Sequence, residues 1–140
     1  MKRHIIFASH GLLASGILSS VELILGKQRD IHTLCAYIDD GVDISHQVNE
    51  LMARFSDNDE VVVITDIFAG SVNNEFIRFL PRPGFHLLAG LNLPLAIDLL
   101  ISMEEENTLK YINEALINSK ESIQYCNQTI HDAMHNDKEF

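Results

Sequence analysis

Residues 60–65 read Glu60-Val61-Val62-Val63-Ile64-Thr65, with four apolar β-branched side chains in succession from Val61 to Ile64 and no polar alternation. β-Branched residues favour extended backbone. A strand apolar on both faces occurs mainly where helices cover both sides of a parallel sheet. The stretch therefore predicts an open, doubly wound α/β domain, mostly parallel, with helices on both faces.

The flanking sequence carries the same alternation. Upstream, Arg3 to Ser9 is a short apolar run suited to a buried strand, and Leu13, Ile17, Val21, Ile24 and Leu25 recur at helical spacing before Gly26. Ile31 to Ile38 reads as a second strand ending at Asp39-Asp40-Gly41. Asp43 is placed to cap a helix whose apolar face is Ile44, Val48, Leu51, Met52 and Phe55. Downstream, Ser71 to Leu80 predicts a third helix, stopped by Pro81-Arg82-Pro83-Gly84.

Phe85 to Ala89 is a fourth strand, and Pro94 opens a fourth helix. Glu104-Glu105-Glu106 oppose the dipole at that helix's end, and Asn107 or Thr108 caps a fifth. Ile123 to Cys126 is expected to form a short final strand, and the polar residues from Asn127 a frayed helix or disorder. The expected organisation is one domain over 1–126 and a polar tail over 127–140.

Composition narrows the class. The 140 residues suffice for one domain with a core, 46% are hydrophobic, and no apolar run approaches the ~20 residues of a membrane span. A net charge of −10 disfavours nucleic acid as a partner. After residue 97 there are nine acidic residues and three lysines, which reads as a solvated face. Cys35 and Cys126 are isolated, a usage that fits the reducing cytoplasm. Met1-Lys2-Arg3 begins the first strand and is not followed by a signal-peptide pattern.

The chemistry lies at the strand ends. The first strand stops at Ser9-His10-Gly11 and the third at Thr65-Asp66-Ile67-Phe68-Ala69-Gly70-Ser71. In the common doubly wound order the sheet reverses between these two strands, so their C-terminal ends flank one crevice. That order brings His10 and Asp66, 56 residues apart, into contact. A carboxylate on one imidazole nitrogen fixes the tautomer and frees the other nitrogen to attack. Gly70, Ser71 and Val72 open the third helix, where unpaired amides favour an anion, and Gly11 lets the chain turn close to the histidine.

Together these residues point to a histidine that carries a phosphoryl group. No metal or cofactor is called for. His131 and His135 have i, i+4 spacing but lie in the polar tail, a poor scaffold for a metal. Ser9 adjoins His10 in a strand, so the two point to opposite faces and cannot form a nucleophile–base pair.

Three segments in register carry a family resemblance. Ala8-Ser9-His10-Gly11, Thr65 to Ser71, and Leu88-Ala89-Gly90-Leu91-Asn92-Leu93-Pro94 resemble the mannose-class EIIA component of the bacterial phosphoenolpyruvate-dependent sugar phosphotransferase system (PTS), in order from about residue 4 to about residue 117. The resemblance implies that His10 is phosphorylated, with Asp66 as its hydrogen-bonded partner and Ser71 and the neighbouring amides around the phosphoryl group. It also implies phosphate transfer from HPr to an EIIB subunit, serving membrane EIIC and EIID subunits. It implies a homodimer as well, whose last, antiparallel strand can be exchanged between subunits.

Two positions depart from the family pattern. Ala69 stands where glycine is common, and Val72 where proline often follows the serine. The absence of a linker leads us to expect a separate EIIA subunit. The main rival is a receiver-like signalling module phosphorylated on Asp66, but such a module needs an acidic pair after the first strand, where this chain has Ser9-His10. A flavin- or nucleotide-binding module is a further alternative, poorly served by the few aromatic residues near the rim apart from Phe68.

Overall fold

A computed structural model describes residues 2–136. Its elements are β1 (Arg3–His10), α1 (Leu13–Leu25), β2 (Ile31–Ala36), α2 (Ile44–Met52), β3 (Glu60–Thr65), α3 (Ser71–Ile77), β4 (Phe85–Ala89), α4 (Leu93–Ile101), α5 (Thr108–Glu121) and α6 (Cys126–Asn136). The four strands form one sheet in the order β2-β1-β3-β4, and every pairing is parallel.

Period-two alternation divides the core between the two faces of the sheet. Ile5, Phe7, Val62 and Ile64 lie in one apolar cluster with α1, α4 and α5. Ile6, Ala8, Val61 and Val63 lie in the other with α2 and α3. Every residue of β3 is buried, as its unbroken apolar run requires. The chain is a doubly wound α/β domain of the expected kind.

Buried polar contacts close the lower end of the sheet. Arg3 donates to Glu60 at 2.9 Å and to the Met103 carbonyl at 2.8 Å, while the Thr108 hydroxyl donates to the other Glu60 oxygen at 3.0 Å. The Arg3 guanidinium also lies 4.0 Å from the centre of the Tyr111 ring. Burial pushes the Tyr111 phenol up, and it stays a neutral donor to the Leu99 carbonyl. These bonds tie β1, β3, α4 and α5 together at the end remote from the rim where β1 and β3 finish.

Three boundaries differ from expectation. β2 ends at Ala36 rather than Ile38, because Tyr37 takes φ +64° and turns the chain out of the sheet. α3 ends at Ile77, and Phe79 and Leu80 bond three residues back in a tighter turn. The expected last strand from Ile123 to Cys126 is not formed: 123–125 lie in no regular element and Cys126 begins α6. A strand needs an edge to pair with, and within the chain Ile123 and Tyr125 remain 79% and 72% exposed. Beyond them the tail is helical to Asn136, yet α6 buries no residue. No helix among the described residues is long and apolar enough to cross a membrane.

Candidate functional site

β1 and β3 are adjacent, with Ala8 opposite Thr65, so the residues that follow meet at the rim. One carboxylate oxygen of Asp66, Oδ2, accepts from the His10 backbone amide at 2.8 Å and contacts His10 Nδ1 at 2.8 Å. The other oxygen accepts from the Ile67 amide at 2.9 Å. Burial raises the Asp66 carboxyl, but the bonds from the His10 amide and ring and from the Ile67 amide outweigh it and hold the group below the usual carboxylate range. An ionised Asp66 can only accept, so Nδ1 carries the proton and Nε2 presents a lone pair.

Nε2 lies 3.1 Å from the Ser71 hydroxyl. The His10 side chain is 41% exposed and that of Asp66 is 7% exposed, so the imidazole is the group within reach of another molecule. The arrangement can attack an electrophile with Nε2 while Asp66 stabilises the positive charge that then develops on the ring.

The other expected site residues gather here. Gly11 turns the chain at φ +61°, its amide bonded to the Ala36 carbonyl at 2.9 Å. At Gly70 a Cβ would stand 3.6 Å from His10 Cε1 and 3.3 Å from the Ile67 carbonyl, so glycine allows the loop to lie against the imidazole. The first bond of α3 runs from the Asn74 amide to the Gly70 carbonyl at 2.9 Å. The amides of Ser71 and Val72 therefore precede the helical ladder. Val72 is fully buried, amide included, so it presents no group at the surface of the rim.

Three supporting residues were not among the expected site residues. Tyr37 donates its hydroxyl to Ser71 Oγ at 2.8 Å, and its ring centre lies 5.4 Å from that of His10. Buried Asn73 braces the Asp66 loop: it accepts from the Ala69 amide at 3.2 Å and donates to Thr65 Oγ1 at 2.9 Å. Ser9 points inward, as the strand alternation predicts, and its Oγ accepts from the Ala14 amide at 2.8 Å. It thereby satisfies an orphan amide of α1, whose N-cap, Leu12, has no side chain to do so. Only Ser9 was foreseeable, because a hydroxyl just before a helix is a familiar capping pattern.

Elsewhere, the His131 and His135 rings stack with centres 4.0 Å apart. No group of three metal-ligating side chains occurs among the described residues. Asp39 and Asp40 lie in the turn after β2, as expected.

The fold and this rim define a class: open α/β domains that present one carboxylate-oriented histidine at the switch point of a parallel sheet. The family model for the mannose-class EIIA domain, described as the PTS system fructose IIA component, matches residues 4–117. The chain belongs to this family and is a component of a sugar phosphotransferase system. It is 31% identical over 107 residues to the sorbose-specific EIIA component of Klebsiella pneumoniae, covering 76% of each chain. Its fold superposes on that of a Klebsiella pneumoniae protein assigned to the same kind of system as a permease (TM-score 0.91, 73% identity, 93% and 95% coverage). It likewise matches the PTS IIA protein associated with the fucose utilization operon of Streptococcus pneumoniae (TM-score 0.79, 30% identity, 93% and 97% coverage).

Proposed function

We propose that this protein is a phosphohistidine carrier: His10 Nε2 accepts a phosphoryl group from phospho-HPr and passes it to an EIIB subunit, in the cytoplasm. The observation that carries the reading is the doubly bonded Asp66 oxygen, which fixes the tautomer that leaves Nε2 free beside the Ser71 hydroxyl. The Nε2 lone pair forms the new P–N bond. The donor's P–N bond breaks, and its electron pair returns to the donor ring. The proton on Nδ1 stays in its bond to Asp66.

The Ser71 hydroxyl and amide are the donors available to the phosphoryl oxygens, while the Gly70 amide is already given to the Ile67 carbonyl at 3.2 Å and Val72 is fully buried. Segments 9–14, 36–43 and 65–74 contain no lysine or arginine. A site with only neutral donors suits a group that must leave again. Exposed apolar side chains border the rim, among them Leu12 at 65%, Ile67 at 58% and Phe68 at 82%, and they suit docking by partner proteins. The membrane EIIC and EIID subunits would be served indirectly, through EIIB. The working form is proposed to be a homodimer.

The receiver alternative is less well supported, because both Asp66 oxygens are already engaged and its side chain is nearly buried. Labelling with phosphoenolpyruvate, Enzyme I and HPr is expected to give a phosphoprotein stable in alkali and lost in acid, with His10→Ala unlabelled. Label retained by His10→Ala but absent from Asp66→Ala would replace the carrier reading with the receiver.

A further inference from the structure

We propose that Tyr37 is a positioning residue for the His10 nucleophile, acting through the Ser71 hydroxyl; the kinetic consequence rests on the carrier reading above. The chain leaves β2 at Tyr37 with φ +64°, a left-handed conformation that is sterically costly for a bulky L-residue. Glycine would make the same turn without that cost. What the tyrosine supplies in return is its side chain, half-exposed at the rim, tilted 34° to the imidazole and bonded to Ser71.

The hydrogens can be assigned by counting. Asp66 Oδ2 takes the His10 amide and the Nδ1 proton, so Nε2 is an acceptor only. The Ser71 hydroxyl has one hydrogen, with Nε2 at 3.1 Å on one side and the Tyr37 hydroxyl at 2.8 Å on the other. If serine donated to the tyrosine, Nε2 would lose this donor. If the tyrosine, the stronger donor, gives its hydrogen to Ser71 Oγ, serine gives its own to Nε2 and each acceptor is matched. The chain of bonds then runs from Tyr37 through Ser71 and His10 to Asp66, each strengthening the next.

This arrangement has a consequence at the moment of transfer. When the Nε2 lone pair forms its bond to phosphorus, the serine hydrogen must leave Nε2 and turn to a phosphoryl oxygen. Tyr37 holds the serine oxygen in place while that hydrogen swings, and no proton passes through the phenol. Without the phenol, the serine hydroxyl rotates freely and meets the incoming group in the right orientation less often.

The test uses Tyr37→Phe, which keeps the ring and the turn. In unphosphorylated protein labelled with 15N-histidine, the Nε2 resonance of His10 should move in Tyr37→Phe toward its position in Ser71→Ala. In single-turnover transfer from saturating phospho-HPr, Tyr37→Phe should be ~3- to 30-fold slower, the scale of one hydrogen bond. That factor should vanish in a Ser71→Ala background, because residues acting through one another are not additive. An unmoved Nε2 resonance, an unchanged rate, or a full factor persisting in Ser71→Ala would overturn the role of Tyr37. If the wild type took no phosphoryl group at His10, the carrier reading would fail instead, and the resonance measurement would still decide Tyr37.

Discussion

Asp66 holds the nucleophile and the loop that carries it. Its two oxygens bind the end of β1 and the start of the loop after β3, so truncation loosens both the imidazole and the rim. Asp66→Ala keeps the nucleophile but loses tautomer control and cation stabilisation, and transfer is expected to slow by ~10²–10⁴-fold, on the scale of general acid–base groups. Rapid-quench transfer from phospho-HPr measures this. Because folding depresses the carboxyl's pKa, its contribution to stability is complete above the ordinary value of about 4 and is lost as pH falls through the folded value. The wild-type melting temperature should therefore fall more steeply below about pH 4 than that of Asp66→Ala. Ala69 offers a converse test. It sits at φ +63°, where glycine is at ease, and its amide and carbonyl are held by Asn73 and Asn74. Ala69→Gly relieves the steric cost but frees the unfolded chain, so a net gain of up to ~1 kcal/mol is expected, read as a rise in melting temperature. An unchanged or lower value would mean that the loop accepts the alanine without strain.

At the scale of elements, the strands were legible because each apolar run had a single physical use. A continuous β-branched segment such as Val61 to Ile64 is stable only when covered on both faces, and that requirement implied both the parallel sheet and the shared rim. His10 and Asp66 followed from the strand order. Tyr37 did not, because nothing in Ala36-Tyr37-Ile38-Asp39 announces a left-handed turn two residues early. Nor did Asn73, whose bonds depend on how the Thr65 loop folds back. Edge strand β2 also carries a pH-sensitive contact that composition could not show. His32 Nε2 lies 3.4 Å from His4 Nδ1, and its ring packs on Phe55 with centres 4.9 Å apart. Burial, reinforced by the neighbouring His4 and Arg54 charges and opposed by Asp30, lowers the His32 pKa. The unfolded chain then takes up this proton more readily than the folded one. Stability is complete above about pH 6.5 and declines as pH falls toward the folded value. Thermal scans should show a lower melting temperature at pH 5.5 than at pH 7.5, with a flatter slope in His32→Gln. Equal slopes would assign the effect to other groups.

At the scale of the whole molecule, the C-terminal segment does not account for itself within one chain. Isolated helices shorter than ~12–15 residues are marginal in water, and most helical stability comes from packing an apolar face. α6 has 11 residues and buries none, while Ile130 and Met134 stand 58% and 62% exposed. Ile123 and Tyr125 lead into it from a segment outside the sheet, and among the described residues no strand pairs with the outer edges of β2 and β4. A second copy of the chain offers both an edge and an apolar face, so the protein is expected to be a homodimer held by residues beyond Ser122. Light scattering at micromolar concentration should give twice the 15.8 kDa chain mass. A chain ending at Ser122 retains every residue of the His10 site. It should behave as a monomer and still accept a phosphoryl group from phospho-HPr. A full-length monomer would remove the dimer, and a truncated chain that remained dimeric would move the interface to the body of the domain, where Ile101 and Leu109 are 65% and 71% exposed.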